Sequence, residues 1–272
     1  MQALPNLSET RLAEAVSRIG RDRFEPALWA FFQGVARPDN LIILAYRDAG
    51  PPLILYLRFN DGTVFAELDQ TYVAGAFRLD PYYDLHRQRA PEGAYRMRDI
   101  APDAFHRSRY FIEYYEQTTL LDEISFVVWP APGVSVNLCL GRDATSGKAF
   151  STAELECCQR LQPVVSAMAR QHWRGIAESA GPAEDVAGAL ADAARQRHGI
   201  ALSPRQAEVA LLVLRGHSTI SIGLRLGLSP QTVKVFRKQL YSRCKLSSQA
   251  ELFAMMLPLL KGADFGTGFD RG

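Results

Sequence analysis

LSPRQAEVALLVLRGHSTISIGLRLGLSPQTVKVFRKQLYSRCKLSSQAEL, residues 202–252, decides how this chain of 272 residues is read. Three helix starts follow one another within it. Ser203-Pro204 places a capping hydroxyl ahead of a proline at the first helical position, and Gln206 completes a capping box. Ser229-Pro230 repeats the cap and proline, and Ser248 with Glu251 forms a further box. Gly216 and Gly227 stand where helices must stop and turn. The spacing predicts four helices, at about 204–214, 218–226, 230–244 and 247–257. A short helix, a tight turn at Gly227 and a longer helix make a helix-turn-helix.

The third of these helices divides cleanly by angle. At ~100° per residue, Gln231, Lys234, Val235, Lys238, Ser242 and Lys245 share one arc, while Val233, Phe236, Leu240 and Cys244 lie opposite. One face can therefore pack into a small core, and the other offers ammonium groups to phosphates and a single aliphatic to a thymine methyl. An ordinary solvated face would show the same division, so the charge of the segment weighs in the choice. Residues 199–257 carry eight Lys and Arg against two Glu, a net +6, whereas the rest of the chain has 23 against 27, a net −4. Only the basic segment is suited to a polyanion. The expected DNA-contacting set is Gln231, Thr232, Lys234, Val235, Arg237, Lys238 and Ser242.

Over its full length the segment resembles the LuxR/NarL-type (GerE-like) DNA-binding domain. The landmarks that carry the resemblance include Leu202, Pro204, Arg205, Glu208, Val209, Gly216, Ser218, Ile222, Leu226, Ser229, Thr232, Val233, Lys234, Leu246, Ala250 and Glu251. The resemblance implies that Lys234, Val235 and Lys238 face bases and phosphates. It also implies that the last helix contributes to a homodimer, with Leu252, Phe253 and Met256 as candidates, although core packing would use the same residues. Phe236 stands where the family often has His, and Ile220 and Leu224 replace positions usually polar. These two exposed aliphatics suggest a docking surface, onto the N-terminal domain or a second protomer.

The first 175 residues alternate helix-like and strand-like runs. A helix is expected from Ser8 to about Phe32, interrupted near Pro26, then strands at 41–47 and 53–59 around a Pro/Gly turn. Helices are expected at 72–79 and 105–117, and a hairpin at 124–129 and 134–140. In the second arm Val134, Val136, Leu138 and Leu140 alternate with Ser135, Asn137 and Cys139, the period of a half-buried strand. Ser151 and Glu154 box the start of a helix running toward His172. The fold class expected is α+β: an α-β-α sandwich of GAF/PAS type with an antiparallel sheet over 1–175, a partly helical linker at 176–199, the four-helix domain at 200–260 and a tail at 261–272.

TYVAGAFRLDPYYDLHRQRAPEGAYRMRDI, residues 71–100, resembles the autoinducer-binding domain of quorum-sensing LuxR proteins. The resemblance implies that the Asp80 carboxylate accepts a ligand amide hydrogen and that Tyr95 stands where the family has a pocket Trp. Glu67 and Thr71 fall where that family places a pocket Trp and Tyr, with Tyr72 adjacent, so a different small effector is expected in place of an acyl-homoserine lactone. The aromatic residues crowd into 72–115, and the candidate ligand set is Tyr72, Asp80, Tyr83, Tyr95 and Trp129. Asp80 could equally serve as turn chemistry ahead of Pro81. A regulator controlled by protein partners and an acyl-homoserine lactone receptor remain the alternatives.

Other classes find little support. The four cysteines and five histidines show no metal-ligand spacing, and vicinal Cys157–Cys158 reads as two small residues on a helix. No GxxxxGK[ST] and no nucleophile–base pairing is visible, so neither an ATPase nor another enzyme is expected, and no cofactor beyond an effector. The opening MQALPNLSETRLAEAV lacks a basic, then apolar, leader, and no run approaches the ~20 apolar residues of a membrane span. The expected setting is the cytoplasm. The expected partners are double-stranded promoter DNA, a second copy of the chain and RNA polymerase.

Overall fold

A computed structural model of the chain describes residues 8–177 and 183–262. Two helices open it, α1 (Ser8–Ser17) and α2 (Phe24–Val35). The break between them falls at Gly20 and Arg23, both at positive φ (71° and 67°), ahead of Pro26. Pro26 sits in the first turn of α2, where a missing N–H leaves no hydrogen bond unmade.

Five strands follow in one antiparallel sheet: β1 (Asn40–Arg47), β2 (Leu53–Phe59), β3 (Gly93–Arg96), β4 (Leu120–Ala131) and β5 (Val134–Asp143), in the order β2-β1-β5-β4-β3. The side-chain period of two sorts residues into two cores. Leu41 and Ile43 of β1, Phe126 and Val128 of β4, and Val136 and Leu138 of β5 pack against α1, α2 and α6 (Thr152–His172). Phe32 of α2 stacks on Phe126 at 5.4 Å.

The opposite face differs from expectation. Ser135, Asn137 and Cys139, in phase with solvent in a half-buried strand, are all buried. They are covered by the segment 62–118, and a polar row on a covered face must find partners inside the protein. Ser135 does so through His86 Nδ1 at 2.8 Å. The covering segment is built of short turns where longer helices were expected. Residues 72–79 form the end of a wide turn (Leu68–Val73) and a 3₁₀ turn (Ala76–Leu79), and 105–117 splits into 3₁₀ turns around α5 (Arg109–Glu113). Between them lie α3 (Pro81–Arg87) and the single turn α4 (Met97–Ile100).

The C-terminal helices are α7 (Val186–His198), α8 (Pro204–Leu214), α9 (Thr219–Leu226), α10 (Pro230–Cys244) and α11 (Gln249–Gly262). The first three of the last four match the expected spans to within a residue, whereas α11 continues five residues past the expected 257 and into the start of the expected tail. Helix α7 is the helical part of the stretch read as a partly helical linker, and it is packed as well: Val186, Leu190 and Ala194 form a buried stripe at helical spacing against α8 and α11. Alanine is the best helix former, so a stretch poor in large side chains still folds when neighbours cover it. Residues 178–182 of the expected linker and 263–272 of the expected tail lie outside the described residues.

Candidate nucleic-acid interface and effector cavity

Helix α10 is held by one face. Val233, Leu240 and Cys244 are buried, whereas Gln231, Lys234, Val235, Lys238 and Ser242 are exposed and Thr232 and Arg237 are half-buried. Its start is fixed by Ser229, whose hydroxyl accepts from Thr232 N at 3.0 Å. The turn before it is fixed by Gly227, left-handed at φ 66°, which ends α9. Neither Lys234 nor Lys238 forms an ion pair with a described residue, so both ammonium groups stand in solvent beside one another on the outer arc. Arg237 is turned back by its bond to Thr219 Oγ1 at 3.3 Å, between α10 and α9. Such a face can lie along a phosphate-lined groove with no unpairing of its own charges.

Leu252, Phe253 and Met256 of α11 are almost fully covered inside the molecule, so none of them presents a surface to a second protomer here. Helix α11 packs them against α5, α7 and α8. Ile220 and Leu224, expected to dock, are 64% and 82% exposed. The C-terminal helices meet the N-terminal part through the α8–α9 turn and the end of α11. Gly216, at φ 90°, lies so close that a Cβ there would sit 2.8 Å from Phe105 Cα. Ala104 N donates to Gly216 O at 3.0 Å, and Ser218 N to Asp103 Oδ1 at 2.9 Å. Asp84 of α3 takes Arg215 on one oxygen at 2.9 Å and Arg225 on the other at 3.0 Å. Arg78, buried, binds both oxygens of Glu184 and also Leu260 O at 3.2 Å.

Below this contact, on the polar face of the sheet, lies a cavity of about 50 Å³. That volume holds roughly three or four ordered waters, or the head of a small ligand. Ile42, Leu44, Val64, Phe65, Leu68 and Leu120 supply its apolar wall. Tyr46, Tyr72, Tyr82, Tyr110, Tyr114 and Tyr115 line the remainder with Asp80, Glu123, Thr118 and Cys139. Asp80 is the cap of α3: its Oδ1 accepts from Tyr82 N at 2.7 Å. Its Oδ2 accepts from Tyr72 at 3.0 Å and from Tyr110 at 3.3 Å. The Tyr72 proton is thereby committed, so the Tyr46 hydroxyl donates to Tyr72. Glu123 Oε2 accepts from Tyr115 at 3.4 Å.

Burial dominates the chemistry of both acids. It raises the Asp80 carboxyl to about 6 against the opposing hydrogen bonds from Tyr82 N, Tyr72 and Tyr110. Burial, with the nearby Asp80, raises Glu123 to about 8. An ionised carboxylate without a cation in such surroundings costs several kcal/mol. The Cys139 thiol is pushed well above its usual range by the same burial, which leaves it a poor nucleophile.

Of the sequence-derived ligand residues, Tyr72 and Asp80 line the cavity and Tyr83, Tyr95 and Trp129 do not. Tyr83 points the other way along α3 and donates to Glu184 at 3.1 Å. Tyr95 is partly exposed and bonds Pro91 O at 2.7 Å, and Trp129 Nε1 bonds Ala90 O at 2.9 Å with its ring on His86. Among the described lining residues outside the candidate set, Glu123 is the one acid. Its signal was phase: two residues before Ser125 in β4, it shares the polar face with Ser125 and Cys139, which bond at 3.3 Å.

Residues 201–256 match the family model for bacterial regulatory proteins of the luxR family, GerE. An HTH-type transcriptional regulator in the exeN 3′ region of Aeromonas salmonicida is 28% identical over 193 residues, 69% of this chain and 97% of that one. The ligand-binding domain of VqsR from Pseudomonas aeruginosa has a similar fold, with a TM-score of 0.50 and 24% identity over 61% of this chain and 95% of its own. Escherichia coli SdiA gives a TM-score of 0.43 at 15% identity, over 93% of this chain and 97% of that one. Residues 201–256, which hold the α9–α10 unit, are a helix-turn-helix domain of the luxR family.

Proposed function

We propose that this regulator binds duplex promoter DNA as a homodimer, in the cytoplasm, under the control of a small molecule held in the tyrosine-lined cavity. The observation that carries the DNA part is the unpaired outer arc of α10, with Lys234, Val235 and Lys238 exposed and Gln231, Thr232, Arg237 and Ser242 around them. Two such helices would read successive major grooves of an imperfect palindrome. Support for effector control comes from α3, which bears Asp80 in the cavity at its cap and Asp84 on the α8–α9 contact one turn later. The cavity is read as a binding site and not an active site, because Cys139 is held as an inert thiol and no activated base–nucleophile pair lines it.

Lys238→Ala tests the interface. Binding to duplex DNA, followed by fluorescence anisotropy across a salt series, is expected to weaken for all sequences alike. The slope of log K against log salt should flatten by about one, the loss of a single phosphate contact. An unchanged slope would place Lys238 away from the DNA.

A further inference from the structure

The cavity contains two carboxyl groups, and none of its described lining residues is basic. Other carboxylates nearby are closed off: Asp122, next to Glu123 in the chain, is bound by Arg96, and Glu184 by Arg78. Asp80 and Glu123 are left facing the same small space without a cation, though each lies among groups that can only be acceptors once their own protons are spent. The hydroxyl protons of Tyr72 and Tyr110 go to Asp80, that of Tyr46 to Tyr72 and that of Tyr115 to Glu123. The Tyr82 hydroxyl is committed to backbone carbonyls. Apart from the Tyr114 hydroxyl and the exchangeable Glu123 proton, what remains for an occupant is carboxyl oxygens, phenol lone pairs and the negative faces of tyrosine rings. Cations are attracted by all three.

We propose that the cavity receives an organic ammonium ligand, its cationic head between Asp80 and Glu123 within the tyrosine rings and its apolar part running past Leu68 toward Phe65 and Leu120. This rests on reading the cavity as the effector site. An ammonium group is about the size of a water and fits the space as it stands. Buried Leu68 leads to the partly exposed Phe65 and Leu120, which mark the way out for an alkyl or aryl tail. The titratable groups facing the two acids are the phenols of β1, α3 and the 72 and 110–115 turns, with the Cys139 thiol of β5. All are held protonated by burial. Only the acids themselves can therefore exchange a proton when the ligand binds. Glu123, raised to about 8, is largely neutral at pH 7 in the empty site and gives up its proton to meet the cation.

The test is calorimetric titration of the full chain with n-hexylammonium, 1-heptanol and N-hexylacetamide, at pH 7 in two buffers of different ionisation enthalpy. Hexylammonium is expected to bind at least about ten-fold more tightly than heptanol and to release close to one proton. Glu123→Gln, isosteric and checked for folding by circular dichroism, should weaken hexylammonium about ten-fold or more and abolish the release, while heptanol changes little. Tighter binding of N-hexylacetamide, lost in Asp80→Asn, would overturn the ammonium assignment and keep the cavity as the effector site. Hexylammonium binding that ignores Glu123→Gln would also overturn it. No heat from any probe, with DNA affinity unaltered by cavity-filling Leu44→Trp, would overturn both.

Discussion

At the scale of a residue, the acid raised furthest from its ordinary range has a consequence for stability. Glu123 goes from about 4.5 unfolded to about 8 folded, chiefly by burial. The folded state then binds the Glu123 proton more tightly than the unfolded state does. Below pH 4.5 the group is neutral in both states and costs nothing, and its penalty grows as pH rises and is complete above about 8. His86 and His217, both lowered to about 4 by burial, act in the opposite sense, removing stability as pH falls from 6.5 toward 4. Their effects cancel in the difference between wild type and Glu123→Gln. That difference is expected to grow in favour of the variant from pH 5 to pH 8.5. It should reach about 2 kcal/mol, because the amide hydrogens must themselves find partners, or about 4–8 °C in Tm. Thermal melts at five pH values would show it, and parallel curves would mean that Glu123 is ionised and already compensated.

At the scale of an element, α3 links two places. Its cap residue Asp80 lines the cavity, and Asp84, one turn on, holds Arg215 and Arg225 of the C-terminal helices. Asp84→Asn keeps the shape and removes the charge, leaving Arg215, whose side chain is 10% exposed, without its carboxylate. The contact should weaken by about 1–3 kcal/mol. Amide exchange is expected to quicken over residues 215–228 with little change within α8, and DNA affinity to rise if the contact restrains the helix-turn-helix. Elements of this kind were the least legible in the sequence. Helices α8 to α11 announce themselves because caps, Pro204, Pro230 and Gly227 act within a few residues. The turns over 62–118 have no such local cause: Tyr72, Tyr110 and Tyr114 hold their places through contacts with Asp80 and with one another across the chain. Aromatic clustering pointed to the region that lines the cavity, but it could not say that Tyr83, Tyr95 and Trp129 lie outside its lining while Glu123 lies within it.

For the whole molecule, the decisive feature is that one apolar cluster runs from the cavity tyrosines through α7 and α8 to Leu252, Phe253 and Met256 of α11. A helix face cannot serve a monomer's interior and a dimer interface at once. If α11 dimerises on DNA through these three residues, as the resemblance implies, they must first leave their present packing, and the form described here competes with the DNA-bound one. Two measurements follow. Met256→Ala should destabilise the DNA-free chain by about 2–5 kcal/mol, the cost of a cavity in a packed core. A residue reserved for a partner would instead leave the melting temperature of the free chain unchanged. Sedimentation at low protein concentration should then find the free chain monomeric and the complex with a palindromic duplex holding two chains. Mutual exclusion of core and interface would tie control to packing: an effector that tightens the cavity walls on α5 would strengthen the contact with α11, whereas one that displaces Tyr110 and Tyr114 would loosen it and favour the face that the resemblance implies for dimerisation. The sign of the change in DNA affinity on ligand binding therefore reports which way those two rings move.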